Sequence, residues 1–123
     1  MNENEIGKLY KDEETICSEG DTADSMYVIQ SGKVDVIKKT ARGEVTIATL
    51  NKGDFFGEMS LFDHQPRSAT VKAVGDARIL KIDKKGFFSR ASEDPSFAFN
   101  ILEGMTKRIR ALDDELSELK QSR

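Results

Sequence analysis

Cysteine and histidine are almost missing from this chain, with one of each, Cys17 and His64. A single cysteine excludes an internal disulfide and a thiolate metal cage. A single histidine leaves no imidazole cluster for a cupin-like metal centre. Cys17 stands between Ile16 and Ser18 in a strand-like stretch and reads as a small buried hydrophobe; His64 reads as a solvated loop residue. No metal-ligating and no catalytic residue is expected. A basic excess is also missing: 19 Lys and Arg face 22 Asp and Glu, for a net charge of −3, which argues against a bulk nucleic-acid surface. No apolar run approaches the length of a membrane span, and Met1-Asn2-Glu3-Asn4-Glu5 lacks the apolar core of a leader. The expectation is a soluble cytoplasmic chain that by itself engages neither nucleic acid nor membrane. At 123 residues it is long enough for one domain with its own core.

What is present begins with short β-rich runs separated by glycine. Residues 1–9 offer only Met1, Ile6 and Leu9 and suggest at most a short amphipathic turn. Met26-Tyr27-Val28-Ile29 and Val34-Asp35-Val36-Ile37 flank Gln30-Ser31-Gly32-Lys33, which reads as a hairpin turn. A second hairpin turns at Ala41-Arg42-Gly43, between Val36–Thr40 and Val45–Leu50. Lys52-Gly53-Asp54 turns again. Ser68–Val74 alternates in the strand manner, and Gly75-Asp76 turns into a last strand, Ala77–Ile82. Seven or eight such strands with almost no helix between them indicate an antiparallel jelly roll or barrel.

Helical pattern appears only afterwards. Asp83 can cap a short helix carrying Phe87 and Phe88. Asp94 can cap a long one, with Pro95 at the first position where its missing N–H costs nothing. Leu102, Met105, Ile109, Leu112, Leu116 and Leu119 then recur at alternating intervals of three and four, a heptad seam. With Leu102 at position a, Arg108 (g) faces Asp113 (e) and Glu115 (g) faces Lys120 (e) across a parallel homodimer. The reading is a self-associating helix; the bland alternative is a seam packed on its own barrel. Gly104 marks a bend or a close contact.

The chemistry concentrates between Phe56 and Thr70. Gly57 permits close backbone approach, and a helix starting there aims the N–H groups of Met59 and Ser60 at an anion. Arg67 adds a charge-assisted contact, roughly 1.5–3 kcal/mol, with Pro66 stiffening the chain before it, and Ser68 adds a hydroxyl. Glu58 cannot hold the same anion and should accept from a sugar hydroxyl. Taken singly, Glu58 is more readily a helix-start carboxylate and Arg67 a surface ion-pair partner. Together at this spacing they predict a ribose bearing a phosphate.

Phe56-Gly57-Glu58-Met59-Ser60-Leu61-Phe62 followed by Pro66-Arg67-Ser68-Ala69-Thr70 resembles the phosphate-binding cassette of the cyclic nucleotide-binding domain family. Gly20-Asp21, Met26–Ile29, Ser31–Val34 and Leu50–Phe55 match that family's strand-and-turn pattern, so the resemblance covers nearly the whole chain. It implies a mainly β fold with C-terminal helices: an eight-stranded antiparallel jelly-roll barrel plus a long dimerisation helix. Residues 1–100 would form the nucleotide-binding jelly-roll domain with its short helices, and 101–123 the coiled-coil helix of the same unit. The implied ligand is a cyclic purine nucleotide, cAMP or cGMP, with no further cofactor. Glu58 would take the ribose 2′-hydroxyl. Gly57, Met59, Ser60, Arg67, Ser68 and Ala69 would form the phosphate end, and Val36 and Ile47 would pack on the base. The lid would come from Arg108, Leu112 and Asp113, with Leu112 and Asp113 standing where catabolite activator-like members carry small hydroxyl residues. Ser60 departs from the commoner Ala or Gly.

The implied function is a non-enzymatic sensor in which nucleotide capture shifts a hinge between Phe87 and Gly104 and moves a dimeric helix. Alternatives are the sensor part of a catabolite activator-like transcription regulator without its DNA-binding module, or a dimerisation scaffold with an empty pocket. A cyclic dinucleotide is a minor ligand alternative.

Overall fold

A computed structural model describes residues 5–63 and 65–121, so Met1–Asn4 and His64 lie outside the described residues. The elements in chain order are β1 (Lys8–Tyr10), β2 (Thr15–Cys17), β3 (Ser25–Thr40), β4 (Gly43–Asn51), β5 (Phe55–Phe56), α1 (Ser60–Asp63), β6 (Thr70–Asp83), α2 (Lys84–Glu93) and α3 (Pro95–Gln121). The chain divides into two compact units, a β-rich one ending at Phe88 and a helical one starting at Ser89.

In the β unit all pairings are antiparallel, in the order β1-β6-β3-β4, with β2 on β6 and β5 on β3. Among the described residues there are six strands rather than eight, and the pairing does not close on itself. Two expected turns account for the difference. Gln30–Lys33 is not a hairpin: β3 runs through it, with Gly32 at φ +81°. Gly75-Asp76 is likewise a bend inside β6, with Gly75 at φ +69°. The two irregularities face each other. Ser31 pairs with Arg78 and Lys33 with Val74, so Gly75–Ala77 together oppose Gly32 alone. A glycine at positive φ serves a bulge as well as a turn, and a Cβ on Gly32 would collide with the Asp76 carbonyl oxygen. Each arm of these two bent strands carries its own β-rich run, so local pattern counts four strands where there are two.

The hairpin at Ala41-Arg42-Gly43 forms as expected, with Thr40 paired to Gly43. The N-terminal stretch does not: Lys8 and Leu9 open β1 against Ile79 and Arg78 in place of an amphipathic turn. That edge is fixed by Gly7 N donating to Gln30 Oε1 at 2.7 Å and Arg78 Nη1 to Gly7 O at 2.8 Å.

The core is built where strands β2, β3, β5 and β6 face inward: Ile16, Tyr27, Ile29, Val34, Phe56, Val71, Ala73, Ala77 and Ile79. Tyr27 and Phe56 pair across β3 and β5 and stack with centroids 5.0 Å apart, an arrangement worth about 0.5–1.5 kcal/mol beyond its area. Cys17 is half-buried against this cluster. Burial pushes its thiol above the ordinary value, against the opposing pull of the Arg67 charge.

Both helix starts follow the sequence. Asp83 Oδ1 accepts from Gly86 N at 2.7 Å, and Asp94 Oδ1 from Ser96 N at 3.1 Å, each satisfying a first-turn donor. The Ser96 hydroxyl also donates to Asp94, the main cause holding that carboxyl below its usual range. At 27 residues, α3 is roughly 40 Å long and runs unbroken through Gly104. Leu102, Ile109, Leu112, Leu116 and Leu119 are all exposed and Met105 is half-buried, so the single chain leaves most of the seam in solvent. Among the described residues no helix is long and apolar enough to cross a membrane.

Candidate functional site

β5 delivers the chain from the core to Gly57, whose φ of +78° reverses it into a single helical turn. Ser60 N donates to Gly57 O, Leu61 N to Glu58 O, and Phe62 N to Met59 O, at 3.0–3.1 Å. Leu61, almost fully buried, anchors the turn. Of the two N–H groups expected to face an anion, that of Ser60 is therefore engaged within the turn. Ser60 offers its hydroxyl instead.

Arg67 returns to the same place from the other side. Its main chain is clamped by the loop between β2 and β3: Arg67 N donates to Asp21 O and Gly20 N to Arg67 O, both at 2.8 Å. Its side chain runs inward and is only 8% exposed. Nη2 donates to Ser25 O at 2.7 Å, and Nη1 reaches Ser60 Oγ at 3.2 Å and Gly57 O at 3.3 Å. The guanidinium also lies over the Tyr27 ring, 5.2 Å from its centroid. Gly57 is obligatory for this packing, because a Cβ there would collide with Arg67 Nη1.

Glu58, in the turn itself, is 6% exposed and Ser60 is equally buried. A buried carboxylate and a buried guanidinium held on one short cassette suit a ligand that carries both an anion and a hydroxyl. Ala69 is buried beside the cassette, whereas Ser68 and Met59 are exposed. The Ser68 carbonyl accepts from Lys38 Nζ at 3.2 Å.

The expected base-packing residues sit on the β3–β4 pair. Val36 is half-buried against the core. Ile47 is the extra residue of a β4 bulge, between Ala48 opposite Val36 and Thr46 opposite Ile37, and is 56% exposed. The expected lid residues lie on α3, in the helical unit: Arg108 is half-buried, Leu112 and Asp113 exposed. No group of His, Cys, Asp and Glu that would hold a metal occurs among the described residues. Sequence reasoning missed Ser25 and Tyr27. Tyr27 is visible only as an inward strand residue and Ser25 acts through its main-chain carbonyl, so nothing local ties either to a residue forty positions later.

The family model described as "Cyclic nucleotide-binding domain" matches residues 8–94, from β1 to the end of α2. The "Cyclic AMP receptor protein" of Thermus thermophilus is 34% identical over 113 residues, 91% of this chain and 52% of that protein. The cAMP-dependent protein kinase type II regulatory subunit of Drosophila melanogaster is 41% identical over 83 residues, 67% of this chain and 22% of that protein. The crystal structure of Thermus thermophilus Catabolite Activator Protein superposes with a TM-score of 0.81 at 34% identity, covering 92% of this chain and 54% of that one. The chain thus spans about half the length of the first of these relatives, and the relatives are regulatory proteins. With the matched segment carrying the Gly57–Arg67 cassette, the chain belongs to the cyclic nucleotide-binding domain family.

Proposed function

We propose that this chain is a regulatory sensor that binds cAMP, with cGMP as the competing ligand, and signals by displacing a dimeric α3. The carrying observation is the convergence of Gly57, Ser60 and Arg67, with Arg67 buried and its Nη1 edge held, among the described residues, by contacts of 3.2 and 3.3 Å. In this reading the cyclic phosphate takes that edge together with Ser68, and Glu58 takes the 2′-hydroxyl. Val36 and Ile47 face the base. The cAMP-linked names of the relatives support the choice of nucleotide. The chain acts through binding and performs no catalysis, in the cytoplasm, without nucleic acid or membrane as a partner of its own.

Transmission begins at the cassette. Phe62, at the end of the turn, meets Phe87 edge-on with centroids 6.4 Å apart, and Phe87 meets Phe88 in the same manner at 6.0 Å. A phosphate that draws the turn toward Arg67 moves Phe62, and Phe87 is the first residue of the proposed hinge. The exposed seam of α3 supports self-association, with Arg108, Leu112 and Asp113 supplied as a lid. The second reading, the sensor part of a longer transcription regulator, is favoured by the half-length coverage of the receptor protein.

A titration of wild type with cAMP, cGMP and a cyclic dinucleotide tests the ligand. Saturable binding of cyclic mononucleotide is expected, and binding of none of the three contradicts the reading. Spin labels at Leu119 test the movement: the inter-subunit distance should change at saturating nucleotide, and an unchanged distance sinks it.

A further inference from the structure

Ser25 and Tyr27 stand two residues apart on β3. The Ser25 main-chain carbonyl takes Arg67 Nη2 at 2.7 Å, and the Tyr27 ring, two residues further along β3, lies 5.2 Å from Arg67 Cζ. The opposite edge of the guanidinium is held less closely, by Ser60 Oγ at 3.2 Å and Gly57 O at 3.3 Å. The ring is itself immobilised. It is 8% exposed and stacked on Phe56 at 5.0 Å with an interplanar angle of 17°.

We infer that Tyr27 is a positioning residue for anion recognition: its ring and the Ser25 carbonyl fix the Arg67 guanidinium before ligand arrives, leaving the Nη1 edge to exchange Ser60 Oγ and Gly57 O for a phosphate oxygen. The inference rests on the reading of Arg67 as the phosphate ligand. Its physical basis is the neutrality of these holders. A carboxylate partner would fix the side chain just as firmly but cancel the charge that the phosphate needs. An aromatic face attracts the cation through its quadrupole and leaves the net charge intact. Two carbonyls and a hydroxyl complete the set on the same terms. Holding the long side chain in advance also removes the rotamer entropy that binding would otherwise cost.

Two sets of variants test it. Tyr27→Phe should bind cAMP like wild type. Phenylalanines bearing one, two and three ring fluorines at position 27 keep the shape while draining the π face. The cAMP Kd, measured by calorimetry, should rise with each fluorine; an unchanged Kd across the series overturns the inference. This series does not depend on Tyr27→Leu folding well. If that variant folds, it should weaken cAMP binding by about 5- to 30-fold, the equivalent of a lost desolvated cation–π contact. In the ligand-free protein the Arg67 Nε–H resonance should lose its ring-current displacement in Tyr27→Leu and keep it in Tyr27→Phe. An Arg67 resonance indifferent to all these changes overturns the contact itself. Wild type that shows the displacement yet binds no cAMP removes the nucleotide reading, and with it the role of Tyr27 in binding, while the contact stands.

Discussion

Gly57 and Arg67 occupy each other's space: the hydrogen on Gly57 that any other residue would replace with Cβ faces Arg67 Nη1. The reversal at φ +78° and the seat of the guanidinium are thus one feature. In Gly57→Ala the left-handed backbone costs about 1–2 kcal/mol, while the collision falls on the far end of a flexible side chain that can swing away. The expected outcome is a folded protein with modestly lower stability in urea and a disproportionate loss of cAMP affinity. Equal losses in both would mean that Arg67 is not the group displaced.

Gly32→Ala should behave in the opposite manner. There the new methyl meets the backbone carbonyl of Asp76, which cannot rotate away, and φ is again positive. The substitution should cost more than the ~1–2 kcal/mol of the backbone conformation alone. Gly43→Ala, also at positive φ but with open space around it, should cost about that amount. Urea midpoints of the two variants at unchanged m-value make the comparison; equal midpoints would contradict the facing bulges.

Alkaline pH should find Cys17 before Tyr10. Burial raises both acids above their ordinary values of 9.0 and 10.0, so the unfolded chain releases each proton first. The stability that these neutral groups contribute is complete below pH 9 and declines as pH rises from there through the folded-state values. Cys17→Ala should flatten the fall between pH 9 and 10 and leave the part due to Tyr10. A wild-type slope that persists unchanged in Cys17→Ala would show that another group titrates.

The exposed seam of α3 makes a separate claim. Leu112 is 59% exposed in the single chain and occupies the middle of the heptad run, so Leu112→Lys should convert a dimer into monomer by sedimentation while the β unit retains its thermal transition. A wild type that sediments as a monomer at micromolar concentration would contradict the dimeric helix.

The cassette was legible in sequence because its chemistry is local: Gly57-Glu58 and Arg67-Ser68 name their backbone geometry and their charges within a dozen residues. The caps at Asp83 and Asp94 and the hairpin at Gly43 were legible for the same reason. Gly32 and Gly75 were misread because positive φ serves a turn and a bulge equally, and only the pairing of Ser31 with Arg78 separates them. Strand number followed from that error. Tyr27 and Ser25 were missed because what they do for Arg67 is a contact across forty residues, with no trace in their own neighbourhood. The bulge that carries Ile47 in β4 is set by the pairing with β3, which local pattern does not specify.

Calorimetric titration of cAMP into wild type and Arg67→Ala measures the phosphate grip directly. Loss of one charge-assisted, buried contact of roughly 1.5–3 kcal/mol predicts at least a tenfold weaker Kd in the variant, up to about 150-fold. Arg67→Ala binding cAMP with wild-type affinity would contradict it.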